Sequence, residues 1–373
     1  MGRKKIKSKQ SKKPKNIKKN SKAVQDESQR QTSNSDLHSV DKLISKAEQL
    51  IDEFNYELAQ KFCQRALEQE PDNLRALETS ASLLIELGNL EAAKHCLGRA
   101  IELSPNSGFS KYMTMGQLME GSNAVDCYKK GIEIMIQEKD KKAAEEAAAV
   151  CADTRTASDK DIASAYCAIA EIYLTDCCFD DSAEEKCKEF VEKALASDAD
   201  SPEALQLKAN YLLSKDEKEE AKEVMKKSVS LWLPKFLKAD TDAVNDEDFD
   251  PVELCPLSFS TRLQCGKILI EVEEYELATD VLETLLDEDD EVPDVWYLIG
   301  WANYLQGTEY YSNARHYLEK GKEVYAKIKY DDAALLGHMD ELLKELGPEP
   351  EENGQDKMEP FEIESSGEED MDQ

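Results

Sequence analysis

Between Val40 and Ser107 the chain writes one pattern twice, thirty-four residues apart. Ala47 is answered by Ala81, Leu50 by Leu84, Ala59 by Ala93, Ala66 by Ala100 and Pro71 by Pro105. Such a period is that of a helix–turn–helix unit that cannot bury its apolar face alone and must stack on its copies. Each recurring residue has a physical task. The alanines let two backbones approach closely, and Leu50, Leu84 and Leu97 fill the groove between them. Pro71 and Pro105 follow the second helix of each pair, because proline lacks an amide donor and disfavours helix in the residue before it. Cys63 falls where Leu97 falls one period later, the position of a small buried hydrophobe.

Spacing and residue types together resemble the tetratricopeptide (TPR) family. The expected fold is all-α, a TPR α-solenoid superhelix with a disordered basic N-terminus and an acidic C-terminal tail. In order, residues 1–39 form a basic arm, 40–346 an array of about seven repeats, and 347–373 a disordered tail. A third, less regular repeat carries Gly121 at its turn and Ala124, Tyr128 and Gly131 in its second helix, and alanine-rich Lys139–Ala152 extends it or is inserted after it. The fourth has Tyr166, Ile169, Ala170 and Tyr173, with Phe190 and Ala194 in an elongated second helix. Pro202 opens the fifth, which runs through Ala209, Leu212, Ala221 and Met225 and closes near Pro234. An acidic insertion without periodicity covers 238–256. The sixth repeat holds Gly266, Leu269, Ala278 and Leu282, and the seventh Trp296, Ile299, Gly300, Ala314 and Leu318. A last amphipathic helix from about Asp332 to Glu345 hides the end of the stack.

Charge narrows the partner class. The chain carries 47 Lys and Arg against 79 Asp and Glu, a formal charge of −32. Eleven of the basic residues and none of the acids lie within 1–22, so the remainder stands at −43. A body that acidic repels nucleic acid and attracts strongly basic proteins through its summed field. The basic run, with Arg3, Lys4, Lys5, Lys12, Lys13, Lys18 and Lys19, is a candidate nuclear-localisation signal read by an import receptor. With no secretory signal or membrane-length apolar run, the expected location is cytoplasm and nucleus. In the tail, Ser365 and Ser366 precede Glu368 and Glu369 by three residues, the pattern an acidophilic kinase reads.

The first helices of TPR repeats line the inner surface. The inner positions in this register are Asp41, Glu48, Asp52, Glu78, Glu86, Glu171, Glu203, Glu271 and Asp294, followed by the aromatic Tyr297, Trp301 and Tyr304. Arg75 and Lys267 are the basic residues read there. An acidic groove with an aromatic end suits an extended Lys/Arg-rich segment. The carboxylate clamp by which some TPR proteins hold heat-shock chaperones is absent, since its positions are Ile44, Glu48, Thr79, Asn106 and Ser110, without a cationic donor. Catalysis is not expected. None of His38, His95, His316 and His338 is read as part of a catalytic constellation or in metal-ligand spacing, no phosphate-binding glycine loop occurs, and no CxxC pair marks a metal site, so no cofactor is expected.

From Phe249 to Gln306 a finer resemblance enters. The Asp250–Pro251 linker into Arg262, the Glu271–Tyr275–Ala278 helix pair, the acidic turn Asp287–Asp290 and the pair Trp296–Trp301 are similar to the C-terminal part of the Acl-four-like family, dedicated assembly chaperones of large-subunit ribosomal protein L-four. The resemblance implies a non-catalytic binding protein that holds this very basic ribosomal protein, with its flexible loop, and escorts it into assembly of the large (60S) subunit. The alternative is a general TPR scaffold or a chaperone of other basic nuclear proteins such as histones.

Overall fold

The computed structural model describes residues 39–147, 157–242 and 255–347, and all regular structure among them is helical. The basic run, most of the acidic insertion, and Ser365 and Ser366 fall outside the described residues. The chain divides into two compact units, Met1–Phe190 and Val191–Gln373.

In the first unit, α1 (Val40–Asp52) and α2 (Tyr56–Gln69) form one hairpin, and α3 (Leu74–Glu86) and α4 (Leu90–Leu103) the next. The repeating alanines Ala47, Ala59, Ala66, Ala81, Ala93 and Ala100 are all fully buried, and Leu50, Cys63 and Leu97 fill the space beside them. Leu84 is half-buried and packs with Leu97. The side-chain oxygens of Asn73 and Asn89 accept from the amides of Ala76 and Ala92, which caps α3 and α4. Both hairpins turn by one device. The Phe54 amide donates to Ile51 O and that of Asn55 to Leu50 O; one period on, Gly88 and Asn89 repeat these bonds to Ile85 and Leu84. The turn needs a left-handed residue, φ 56° at Phe54 and 71° at Gly88. Glycine adopts this freely, whereas the Cβ of phenylalanine strains it.

The third repeat pairs unequal helices, α5 (Ser110–Leu118, 9 residues) and α6 (Gly121–Ala147, 27 residues). The fourth has α7 (Asp159–Leu174), opened by a reciprocal capping box between Ser158 and Asp161, and α8 (Ala183–Ser197), whose residues 183–190 close the unit. The elongated helix is therefore α6 of the third repeat. At 15 residues, α8 scarcely exceeds the 14 of α2 and α4, so the elongation expected in the fourth repeat is corrected. Alanine-rich 139–147 continues α6 without a break.

The second unit continues from α8 with α9 (Pro202–Ser214), α10 (Lys218–Ser230), α11 (Leu233–Asp242), α12 (Phe259–Glu271), α13 (Tyr275–Leu286), α14 (Pro293–Gln306), a 3-10 turn (Thr308–Tyr310), α15 (Tyr311–Ile328) and α16 (Ala333–Leu346). Its hairpins turn on left-handed Asp216 and Glu273 through the same pair of backbone bonds seen at Phe54. Within this unit close approach is strictest at two glycines. A Cβ on Gly266 would lie 2.5 Å from Leu282 Cδ2, and one on Gly300 2.7 Å from Leu318 Cγ. Residues 238–242, the start of the acidic insertion without periodicity, belong to α11, anchored by buried Trp232 and Leu233 with Phe236 packed against the core. Pro234 sits in the first turn of α11, where its missing amide leaves no helical bond unmade.

Candidate functional site

The register places the predicted acids on first helices, and the structure sorts them by what each meets. In the first unit α1 and α3 touch directly. Across that contact Arg75 Nε and Nη2 both reach the Glu48 carboxylate, at 2.9 and 2.5 Å, and Thr79 Oγ1 adds a bond of 3.3 Å. This bidentate pair raises the Arg75 pKa above its ordinary value. It ties two repeats together and neutralises Glu48. Asp41, Asp52 and Glu86 stay exposed, as does Glu171 on α7. Glu78 is half-buried, and burial raises its pKa against the opposing pull of Lys111.

Lys111 is a residue that sequence reasoning missed. It is 2% exposed, and its ammonium donates to the carbonyl of Ser107. Burial lowers its pKa, with the Glu78 and Glu138 carboxylates pulling the other way. The signal lay in the register itself. One period earlier the position is Leu77 and two periods earlier Leu43, both buried. A lysine in that column is a cation planted in an apolar row, opposite an inner acid.

In the second unit Glu203 and Asp294 are half-buried and Glu271 is exposed. Asp294 accepts a hydrogen bond of 2.9 Å from the hydroxyl of Tyr330, so it braces the end of α15. The aromatic trio on α14 is largely engaged within the fold. Tyr297 stacks on Trp301 at 5.9 Å between centroids, and its hydroxyl lies 2.7 Å from His338 Nδ1 on α16. The edge of His338 also meets Trp301 at 5.8 Å. Tyr304 stacks on Tyr311 and donates to Glu345. Leu335, Leu336, Met339 and Leu342 of α16 complete this cluster, and burial pushes the Tyr297 hydroxyl up to about 12. The aromatic end read as a cation-binding surface thus serves first as the seat of the terminal helix.

Tetratricopeptide-repeat family models match residues 50–110 and 202–231. A protein of Schizosaccharomyces pombe named "Probable assembly chaperone of rpl4" is 32% identical over 330 residues, covering 83% of this chain and 91% of that protein. The chain belongs to this family of rpl4 assembly chaperones. An Emericella nidulans protein of the same name is 26% identical over 352 residues, covering 84% of this chain and 83% of its own. The solved structure "Assembly Chaperone of RpL4 (Acl4) (Residues 1-338)" superposes with a TM-score of 0.59 at 25% identity, over 72% of this chain and 97% of that one.

In this family member the described residues hold no group of three or more His, Cys, Asp and Glu able to take a metal, and no described helix is long and apolar enough to cross a membrane. Among the cysteines, burial raises the Cys63, Cys187 and Cys265 thiols. Such thiols pack as hydrophobes. The exposed acids on the first helices, Asp41, Asp52, Glu86, Glu171 and Glu271, form a set suited to ion pairing.

Proposed function

We propose that this chain is a dedicated, non-catalytic chaperone of ribosomal protein L-four, the rpl4 of its relatives' names, holding and escorting it for large-subunit assembly. The observation that carries the reading is the 32% identity to an rpl4 assembly chaperone across 83% of this chain and 91% of that one. The acidic body supports it, because a formal charge of −43 outside residues 1–22 suits a very basic client. Client contact is assigned to the exposed inner acids, Asp41, Asp52, Glu86, Glu171 and Glu271, with Glu48, Glu78, Glu203 and Asp294 acting from within ion pairs or partial burial. Tyr297, Trp301 and Tyr304 contribute through the edges that α16 leaves open.

Affinity purification of the tagged chain followed by mass spectrometry tests this reading. L-four is expected as the dominant partner. A spread of unrelated folded proteins without it, or histones in its place, overturns the reading in favour of a general scaffold or another basic-protein chaperone. The basic run at 1–22 is assigned to import-receptor binding, giving a protein present in cytoplasm and nucleus. Deleting residues 1–22 from a fluorescent fusion should shift it to the cytoplasm, and unchanged nuclear signal rules that assignment out. Ser365 and Ser366 are assigned as acidophilic-kinase sites.

A further inference from the structure

The first unit has an unusual edge. The turns joining first to second helices lie at one end of their hairpins, and the third and fourth turns are neighbours: the Gly121 amide of the third reaches Asp176 Oδ2 of the fourth at 3.4 Å. Large apolar side chains stand out on these turns. Phe54 is 78% exposed and Phe179 97%, with Leu58, Leu87 and Leu90 also exposed. Within the turns themselves the charge has one sign. Stretches 50–59, 84–93, 116–125 and 173–182 contain Asp and Glu but no Lys, Arg or His. Glu91 is paired with Lys94 and Glu53 accepts from Gln49, while Asp52, Glu57, Glu86 and Asp180 remain exposed.

The second unit supplies the control. Its turns use the same left-handed geometry, but Asp216 and Glu273 occupy the position of Phe54. There the edge neutralises itself, with Lys218 paired to Glu273 and Lys222 to Glu274. A phenylalanine in a left-handed turn is strained, is 78% exposed with an edge contact to Tyr56 at 6.3 Å, and stands where the next repeat has Gly88. Strain alone favours glycine at such a site, and what sets Phe54 apart from the equally left-handed Asp216 and Glu273 is a large apolar side chain left exposed, a feature that points toward function.

We infer that this turn edge of the first unit is a second docking surface, separate from the inner face, for a segment of the basic client that combines a bulky apolar side chain with flanking Lys or Arg. Phe54 and Phe179 are the apolar contacts, and the surrounding carboxylates select positive flanks. The inference rests on the function proposed above. It adds a contact whose strength survives salt, because apolar burial is not screened while the ion pairs of the inner face are.

The test uses the full-length chain and purified rpl4, with Phe54→Gly, Phe179→Ser and the double variant compared at 50 and 300 mM salt, values chosen to bracket a screening length of about 8 Å. Phe54→Gly is expected to melt higher, by about 2–4 °C, yet to bind rpl4 about tenfold more weakly. Loss of the Phe179 contact should weaken binding comparably, and the fold-loss should be the same at both salts. Opposite signs for stability and affinity separate this outcome from a folding defect. Equal binding by all variants overturns the edge and leaves the proposed function standing. A lower melting point for Phe54→Gly overturns the strain argument on which the edge depends. Failure of the unaltered chain to bind rpl4 overturns the function and this inference together.

Discussion

At the scale of single residues, this chain keeps its register while changing what the register holds. The column Leu43, Leu77, Lys111 is apolar twice and cationic once, and Lys111 is as buried as its predecessors. Because burial depresses its pKa, the folded state disfavours the charged form, despite Glu78 and Glu138. The linkage sign follows. Below the folded pKa the desolvation cost is present in full, and it is relieved as pH rises from there toward the unfolded value. Lys111→Met should therefore raise the unfolding free energy at pH 7 by about 1 kcal/mol, and should remove part of the stability gained between neutral and alkaline pH. Chemical denaturation of both proteins at pH 7 and pH 9.5, roughly one unit below the ordinary lysine value, checks it. A destabilised variant at both pH values would mean that the Glu78 counter-charge outweighs desolvation. Lys111 was legible from spacing alone, since a polar residue in an apolar column announces itself. The pairing of Glu48 with Arg75 was not, because spacing names the face a residue occupies and not the rotamer that closes a bond across two helices.

Helices show the same division between what spacing settles and what packing decides. The first two repeats, the seventh and the terminal helix follow from the apolar pattern, down to Asp332 as the cap of α16, whose carboxylate accepts from Ala334 and Leu335. Spacing leaves the length of the 27-residue α6 open between an extension and an insertion, because its alanine-rich last third is helical by propensity but carries no periodic signal tying it to either neighbour. At the aromatic end of the inner face packing adds what spacing leaves out. Tyr297, Trp301 and Tyr304 do occupy first-helix positions, yet α16 follows as one more first helix and sits where a bound segment would. Removing residues 333–373 should uncover Trp301, and its fluorescence should shift to the red with increased light scattering. Unchanged emission would show that α16 does not cover it. Close helix contact makes its own prediction. Gly300→Ala should cost about 1–3 kcal/mol, because the new Cβ would press on Leu318, including its backbone nitrogen at 3.2 Å. Thermal melting reads the loss, and a neutral result would mean that α15 can shift outward freely.

Over the whole molecule, the excess of carboxylates is the property a basic client meets first. Glu48 and Glu78 are poor sites for reversal, since the first is bonded to Arg75 and the second faces Lys111. Asp41, Asp52 and Glu86 are exposed and are the informative choice. Changing all three to Lys should weaken rpl4 binding about tenfold or more near physiological salt and flatten its salt dependence. Glu68→Lys, on the second helix of the first repeat, should leave binding unchanged. Isothermal titration across a salt series decides the matter, and parent-like affinity in the triple variant would move the client off the inner face. The way the helices associate also has a consequence in time. Within each unit the strongest partnerships join helices that are consecutive in the chain, α1 with α2, α3 with α4, α14 with α15. At synthesis rates of roughly 5–20 residues per second, a newborn hairpin waits only seconds for the neighbour that covers its open side. The chain can therefore assemble in the order it is made, with little apolar surface left standing as it leaves the ribosome.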